Sequence, residues 1–319
     1  MYFVSVDCGG TKSAFLMTDE KGNQIATCKL GPGNYLVIGL DAMVKLINEG
    51  MDELCRLANV TRDDITMAVI ASAGFSSGNR DSKYDERAKK EYKFNYFLTG
   101  DTNNAMKGSL LDNEGIHLIA GTGSVGKGFD GTNIKPAIGG WGYYCGSDEG
   151  GGYWIGAKLL WHYERQSDGR EPKTMLHDYV ANKYNFESDH DVIFFIIETL
   201  KNERDKIAAL AVDVAELCKL GDPCALQIMK EAGYELGTIA KALYKRDGYK
   251  LPLTISYSGS VFKSLEYLKP GIEEALADIP HNIRKPILSP LAGGVLMAMN
   301  LANYKYDDEV IENLKKLDA

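Results

Sequence analysis

Apolar residues run unbroken or alternate over residues 2–6, 13–17 and 24–28, which predicts three short strands joined by turns at Gly9-Gly10 and Gly22-Asn23. The period then changes. Met43, Val44, Ile47, Met51 and Leu54 recur at helical spacing within residues 40–57. Thr61-Arg62-Asp63-Asp64 reads as a short cap ahead of a strand at 67–71. The polar stretch 76–93 reads as an exposed loop and helix. Residues 94–98 form a further strand ending in Thr99-Gly100-Asp101, with a helix over 102–110. This βββαβαβα order predicts a mixed α/β domain built on a five-stranded sheet.

A polar break at 111–115 marks the first domain boundary. Residues 116–120 and 125–129 then repeat the strand, glycine turn, strand device around Gly121-Thr122-Gly123-Ser124, an internal repeat of architecture without sequence identity. Helices are predicted over 152–165, 174–181, 191–200, 206–219 and 223–244. A strand at 252–258, a helix at 265–277, a short strand at 286–288 and a helix at 293–301 follow. The amphipathic tail 308–317 is expected to pack back on the first domain. The chain thus divides into a first domain, 1–115, rejoined by the region from about residue 300 to 319, and a larger second domain, 116–299.

Charge narrows the partners. The 36 basic and 44 acidic residues give a net charge of −8 with no basic stripe, so nucleic acid and anionic membrane are poor partners. A phosphate site here must rely on backbone amides, a metal ion and a few local groups. The six cysteines, Cys8, Cys28, Cys55, Cys145, Cys218 and Cys224, show no CxxC and no metal-ligand spacing, and most read as small buried hydrophobes, which fits a reducing cytoplasmic setting. Residues 1–6 lack a basic start and run at once into Asp7, so they read as a strand and not a signal peptide. No stretch reaches the roughly 20 apolar residues of a membrane span. The five histidines form no triad or ligand spacing with one another and read as structural or surface residues, and the helices between Lys201 and Lys250 read as solvated faces over a core stripe.

The two glycine loops carry the chemistry. Asp7-Cys8-Gly9-Gly10-Thr11-Lys12 and Gly121-Thr122-Gly123-Ser124 each follow an apolar strand, where glycine lets backbone N–H groups approach phosphate oxygens. A polyanion gripped by both loops is one reading; ordinary hairpin turns are the other. Asp7 suits a water-mediated Mg²⁺ ligand. Lys12 reads equally as a phosphate contact or a solvated hairpin lysine. Cys8, within the first loop, is expected to react with alkylating agents if exposed. Asp101 ends a strand and starts a helix, as a base facing a cleft would, and as a helix N-cap would too.

Taken in order, Asp7-Cys8-Gly9-Gly10-Thr11, Gly100-Asp101, Gly121-Thr122-Gly123-Ser124, Ser258-Gly259-Ser260-Val261-Phe262-Lys263-Ser264 and Pro290-Leu291-Ala292-Gly293-Gly294-Val295 resemble the actin-like ATPase and sugar kinase superfamily. Gly33-Asn34, Gly139-Gly140-Trp141-Gly142, Asp148-Glu149-Gly150 and Tyr153-Trp154-Ile155-Gly156 are similar to the N-acetylglucosamine kinases of the BadF/BadG family. The resemblance implies a two-domain, actin-like (ribonuclease H-like) α/β fold with an interdomain cleft, ATP and Mg²⁺ as cofactors, and phosphorylation of an amino sugar at O6. N-acetylglucosamine is the first candidate sugar, with N-acetylmuramic acid and glucosamine behind it. It implies Asp101 as general base and Asp7 for the metal. Gly9, Gly10, Thr11, Lys12, Gly121, Thr122, Gly123 and Ser124 would hold phosphates, and Gly259, Ser260 and Lys263 the nucleoside. The sugar would meet Asn34, Asp101, Thr122, Gly140, Trp141 and Asp148 or Glu149; Ser147 is one residue more than the family pattern has, so either acid can face it. Asn34 also reads as a plain turn residue, and Trp141 as a core side chain. A homodimer is implied as well. Two other classes stand beside this one: an iron–sulfur ATPase activator of a 2-hydroxyacyl-CoA dehydratase, and a nonenzymatic nucleotide-binding module.

Overall fold

The computed structural model describes residues 1–10, 12–75 and 79–317. They form two compact units: Met1–Asn113 with Lys285–Ala319, and Glu114–Arg284.

In the first unit, β1 (Tyr2–Cys8), β2 (Ser13–Thr18) and β3 (Gln24–Leu30) pair antiparallel, and β4 (Ile65–Ser72) and β5 (Tyr96–Gly100) run parallel to β1, in the order β3-β2-β1-β4-β5. Both faces are covered, which is why the strands read as nearly unbroken apolar runs. On one face Val4, Val6, Phe15 and Ile70 meet Met43, Ile47, Met51 and Leu54 of the helix Leu40–Ala58. A Cβ on Gly50 would lie 2.2 Å from the Phe15 ring, so glycine sets how closely that helix approaches. The helix Asn79–Glu91 buries Tyr84 and Ala88 in the same core. Its charged majority hid this narrow apolar stripe, and the expectation of an exposed segment fails there. On the other face Phe3, Leu16 and Val69 pack against the helices Pro290–Leu301 and Asp308–Lys316 through Val295, Leu296, Val310 and Leu314.

The return to the first unit therefore begins at Lys285 and not near residue 300. Gly293 is the reason: a Cβ there would sit 2.3 Å from the Asn104 carbonyl, so the helix Pro290–Leu301 lies directly on the helix Asp101–Leu110.

The second unit repeats the plan. β6 (Gly115–Ala120), β7 (Ser124–Phe129) and β8 (Ile138–Gly139) are antiparallel neighbours, and β9 (Leu253–Ser258) and β10 (His281–Arg284) run parallel to β6, in the order β10-β9-β6-β7-β8. Read from the hairpin edge, this is the same order and sense as in the first sheet. The expected strand at 286–288 is absent; the polar segment His281–Arg284 pairs with β9 instead. The expected helix 206–219 is two, Arg204–Ala209 and Ala211–Lys219, and the helix over 191–200 widens after Phe194. The long helix Pro223–Asp247 starts on Asp222, whose carboxylate accepts from the Ala225 N–H at 2.8 Å. No helix among the described residues is long and apolar enough to cross a membrane.

Candidate functional site

In the first unit three parallel strands end at one edge. Asp7 of β1 pairs beside Ala71 of β4, and Ala71 beside Thr99 of β5; Cys8, Ser72 and Gly100 form the next row. Asp101 follows immediately. The carboxyl ends of parallel strands are where open α/β sheets bind ligands. Gly100, not Asp101, is the N-cap of the helix Asp101–Leu110, so the plain capping role does not account for Asp101. It stands half-buried in the first turn, where its Oδ1 accepts from the Thr102 N–H at 2.8 Å and the helix dipole favours a negative charge.

Asp7 is also half-buried. Burial, and next the charge of Asp101, push its carboxyl up to about 6, while Lys12 works against the shift. Two carboxylates that repel each other beside one exposed lysine suit a hard, oxygen-binding cation such as Mg²⁺. The pH dependence follows from the sign. A folded value above the ordinary 3.8 means the folded state holds the proton more tightly, so stability falls as pH rises from about 4 to about 6. Asp7→Asn is expected to raise the thermal midpoint relative to the parent above pH 6 and to match it below pH 4. Equal midpoints at both pH values would refute the shift.

The first loop is closed by its backbone. Gly9 N–H donates to the Lys12 carbonyl at 3.0 Å, and the Gly9 carbonyl accepts from Gly33 N–H at 2.9 Å. A Cβ on Gly10 would meet nothing within 4 Å, so that position faces open space. Thr11 lies outside the described residues. Asn34 caps the short helix Tyr35–Ile38, its Oδ1 accepting from Leu36 N–H at 3.1 Å, so its reading as a turn residue holds in this respect. Cys8 is no exposed thiol. It is fully buried, and burial pushes it up to about 12. Iodoacetamide is expected to modify the exposed Cys145 and to leave Cys8 intact, which peptide mass spectrometry reads directly.

In the second unit the glycine loop between β6 and β7 is held from behind. Gly152 N–H donates to the Gly121 carbonyl at 2.7 Å and Tyr153 N–H to the Thr122 carbonyl at 2.9 Å, both from the start of the helix Gly152–Ser167. In front lies a pocket of about 430 Å³. Its walls bring together Gly121 and Thr122 with Ser260 and Lys263, residues far apart in the chain, and add Val212 and Tyr267. Gly259 makes this possible. At φ +102° a Cβ would lie 2.2 Å from the Ala120 carbonyl, so only glycine lets the segment after β9 lie against the loop. A pocket of this size with an apolar wall and a few polar groups fits a nucleoside.

Ser124 serves the scaffold. Its hydroxyl is committed to the Glu149 carbonyl at 2.6 Å. Gly140 N–H donates to the Ser124 carbonyl at 2.9 Å, and the positive φ of Gly139, Gly140 and Gly142 turns the chain outward. Trp141 is 84% exposed at the tip of that turn and is no core residue.

Asp148 differs from expectation. It is 3% exposed, with a positive φ of 62°, and its carboxylate faces inward. Oδ1 accepts from Gly142 N–H at 3.2 Å and Oδ2 pairs with the Arg204 guanidinium. A Cβ on Gly123 would sit 2.3 Å from that Oδ2 and 2.5 Å from Arg204 Nη2, so the pair lies against the glycine loop. Arg204 also covers the Tyr143 ring at 5.3 Å. The extra residue Ser147 did not swing Asp148 outward; the half-buried Glu149 comes near Glu235, which it helps to push up after burial. Arg204 was missed in the sequence. A buried carboxylate in a glycine turn demands a cation, but local pattern cannot say which of 36 basic residues supplies it.

The profile of the BadF/BadG/BcrA/BcrD ATPase family matches residues 4–298. The chain belongs to this family. It is 26% identical over 317 residues to the N-acetyl-D-glucosamine kinase of Dictyostelium discoideum, covering 93% of this chain and 98% of that protein. It is 26% identical over 271 residues to an N-acetylmuramic acid/N-acetylglucosamine kinase of Clostridium acetobutylicum, covering 84% and 87%. A crystal structure from Chromobacterium violaceum, provisionally assigned as an N-acetylglucosamine kinase, superposes with a TM-score of 0.72 at 21% identity over 93% of this chain and 98% of that one. The α/β, ribonuclease H-like character of this family member follows from the two sheets and that superposition.

Proposed function

We propose that this ATPase-family member is an ATP-dependent kinase that transfers the γ-phosphate to the 6-hydroxyl of an amino sugar, N-acetylglucosamine first among them. The observation that carries the reading is the placement of Asp101 and Asp7 on one strand edge, with a nucleoside-sized pocket in the other unit. The relatives named as amino-sugar kinases support it.

Asp101 accepts the proton of the attacking hydroxyl, which raises the oxygen's nucleophilicity as the bond to phosphorus forms. Asp7 would hold Mg²⁺, and that ion would supply neutralisation of the triphosphate charge. Gly10, Thr122 and Gly123 offer backbone N–H groups to phosphate oxygens, with Lys12 at the edge of the first loop; the Gly9 and Gly121 N–H groups donate to the Lys12 and Gly123 carbonyls and shape the two loops. Ser260 and Lys263 hold the nucleoside. Asn34 and the exposed Trp141 contact the sugar, while Asp148 shapes the turn that presents the indole and does not touch the ligand directly.

Gly121 separates ligand from fold. A Cβ there meets nothing within 4 Å, yet the residue lines the pocket. Gly121→Ala is expected to keep the parent thermal midpoint and weaken ATP binding about tenfold, roughly 1.4 kcal/mol. Calorimetry showing parent-like ATP affinity would remove this loop from the nucleotide site. The function itself is tested by ADP release against a panel of sugars. N-acetylglucosamine, N-acetylmuramic acid or glucosamine should accelerate it. Hydrolysis indifferent to every sugar would overturn the reading.

A further inference from the structure

A second group of chemically active side chains lies outside this site. His162, Glu171 and Cys224 each offer one ligand atom, and the three atoms lie within 4.8 Å of one another. Among the described residues no other group of three His, Cys, Asp or Glu has this spacing. His162 belongs to the helix Gly152–Ser167, Glu171 to the turn after it, and Cys224 to the first turn of the helix Pro223–Asp247. All three are half-buried.

We propose that these side chains form a binding site for a borderline-soft divalent cation, with Zn²⁺ as the ion it fits. Imidazole nitrogen, thiolate sulfur and one carboxylate oxygen are a zinc donor set, and three protein ligands leave a fourth position for water. The thiolate makes Mg²⁺ a poor occupant, which separates this site from the one assigned to Asp7.

The surroundings hold the donors in place. Glu171 Oε1 accepts from Arg165 Nε at 2.6 Å, and Glu171 N–H donates to the Arg165 carbonyl at 3.0 Å. This leaves Oε2 directed at His162 Nδ1, 2.7 Å away. Gln166 hydrogen-bonds the Cys224 thiol and is itself fixed by Thr174, whose N–H donates to Gln166 Oε1 at 2.9 Å. Such outer partners orient first ligands. The charge also suits a dication. One carboxylate and one thiolate neutralise it, Asp222 and Glu231 add negative field at the thiol, and Arg165 is the opposing cation on Glu171.

Binding exchanges protons for metal. The hydrogen between His162 Nδ1 and Glu171 Oε2 moves through solvent to His162 Nε2, so that the neutral imidazole ligates through Nδ1; the two atoms part to roughly 3.3 Å as tetrahedral ligands, and the thiol proton leaves to solvent. The bound ion ties the far half of the helix Gly152–Ser167 to the turn after it and to the helix Pro223–Asp247. That first helix begins with the N–H groups that hold the Gly121 and Thr122 carbonyls, about 15 Å away at 1.5 Å per residue. The effect is on stability and does not depend on the kinase reading.

The test uses the full chain without nucleotide. Co²⁺ titration should give thiolate-to-cobalt charge-transfer absorption that saturates at one equivalent and disappears when Zn²⁺ is added, and Zn²⁺ should raise the thermal midpoint. Cys224→Ser should lose the band and Cys145→Ser should keep it. His162→Gln should bind Zn²⁺ at least tenfold more weakly, as read by competition with a chromophoric chelator. Parent-like circular dichroism of each variant guards against misfolding. No charge-transfer band in the parent, or an undiminished band in Cys224→Ser, overturns the proposal.

Discussion

Asp101→Asn is expected to lower kcat by roughly 10²–10⁴-fold while sugar and ATP still bind. Asn keeps the size and an oxygen that accepts from Thr102 N–H, so the first helical turn persists. It cannot take a proton from an attacking hydroxyl. The same change removes the charge that helps hold Asp7 up at about 6, so Asp7 ionises more readily and its affinity for a cation does not fall. The signature is therefore a loss confined to turnover, with the KM values for both substrates near those of the parent. Steady-state kinetics check it. A variant that turns over at the parent rate rules Asp101 out as the base, whatever its place in the sheet.

Arg204→Ala is expected to cost about 3 kcal/mol of stability, at the lower end of what breaking a buried pair costs, because Arg204 is itself partly exposed. The change strands the Asp148 carboxylate against the Gly123 backbone with, among the described residues, only Gly142 N–H as partner. Removing both charges, Arg204→Ala with Asp148→Ala, should be less harmful than the sum of the single changes. Thermal unfolding of the four proteins measures that coupling. Additive losses would mean that the pair is incidental. Because the pair lies on the glycine loop, the single variant should also weaken ATP binding, and Gly123→Ala should reproduce both defects by displacing the same two side chains.

The parts of this molecule that sequence exposes are those whose cause is local. The β1–β2 and β6–β7 hairpins, their glycine turns and the helix Leu40–Ala58 each follow from apolar period and breaker residues, and all appear where the pattern placed them. The position of Asp101 at a strand end and helix start was legible because strand end, glycine and carboxylate are adjacent in the chain. What stayed hidden depends on distant partners. The polar segment His281–Arg284 becomes a strand only because β9 offers it an edge. The helix Pro290–Leu301 joins the first unit because two backbones meet at Gly293, a contact no period reveals. Asp148 stood out through the family resemblance, and the glycines around it hid its buried partner. Those glycines make room for Arg204, contributed from 56 positions downstream. The exposed Val212 and the half-buried Tyr267 were unreadable as pocket residues for the same reason, since their apolar surface gains meaning only across from Gly121.

The most direct test of the central claim is the fate of the phosphate itself. Incubating the protein with Mg²⁺, ATP and N-acetylglucosamine and recording phosphorus and proton NMR identifies the product and the carbon that carries it. The account predicts ADP with a phosphate ester coupled to the protons on C6. ADP with inorganic phosphate alone, or an ester on another carbon, would contradict it.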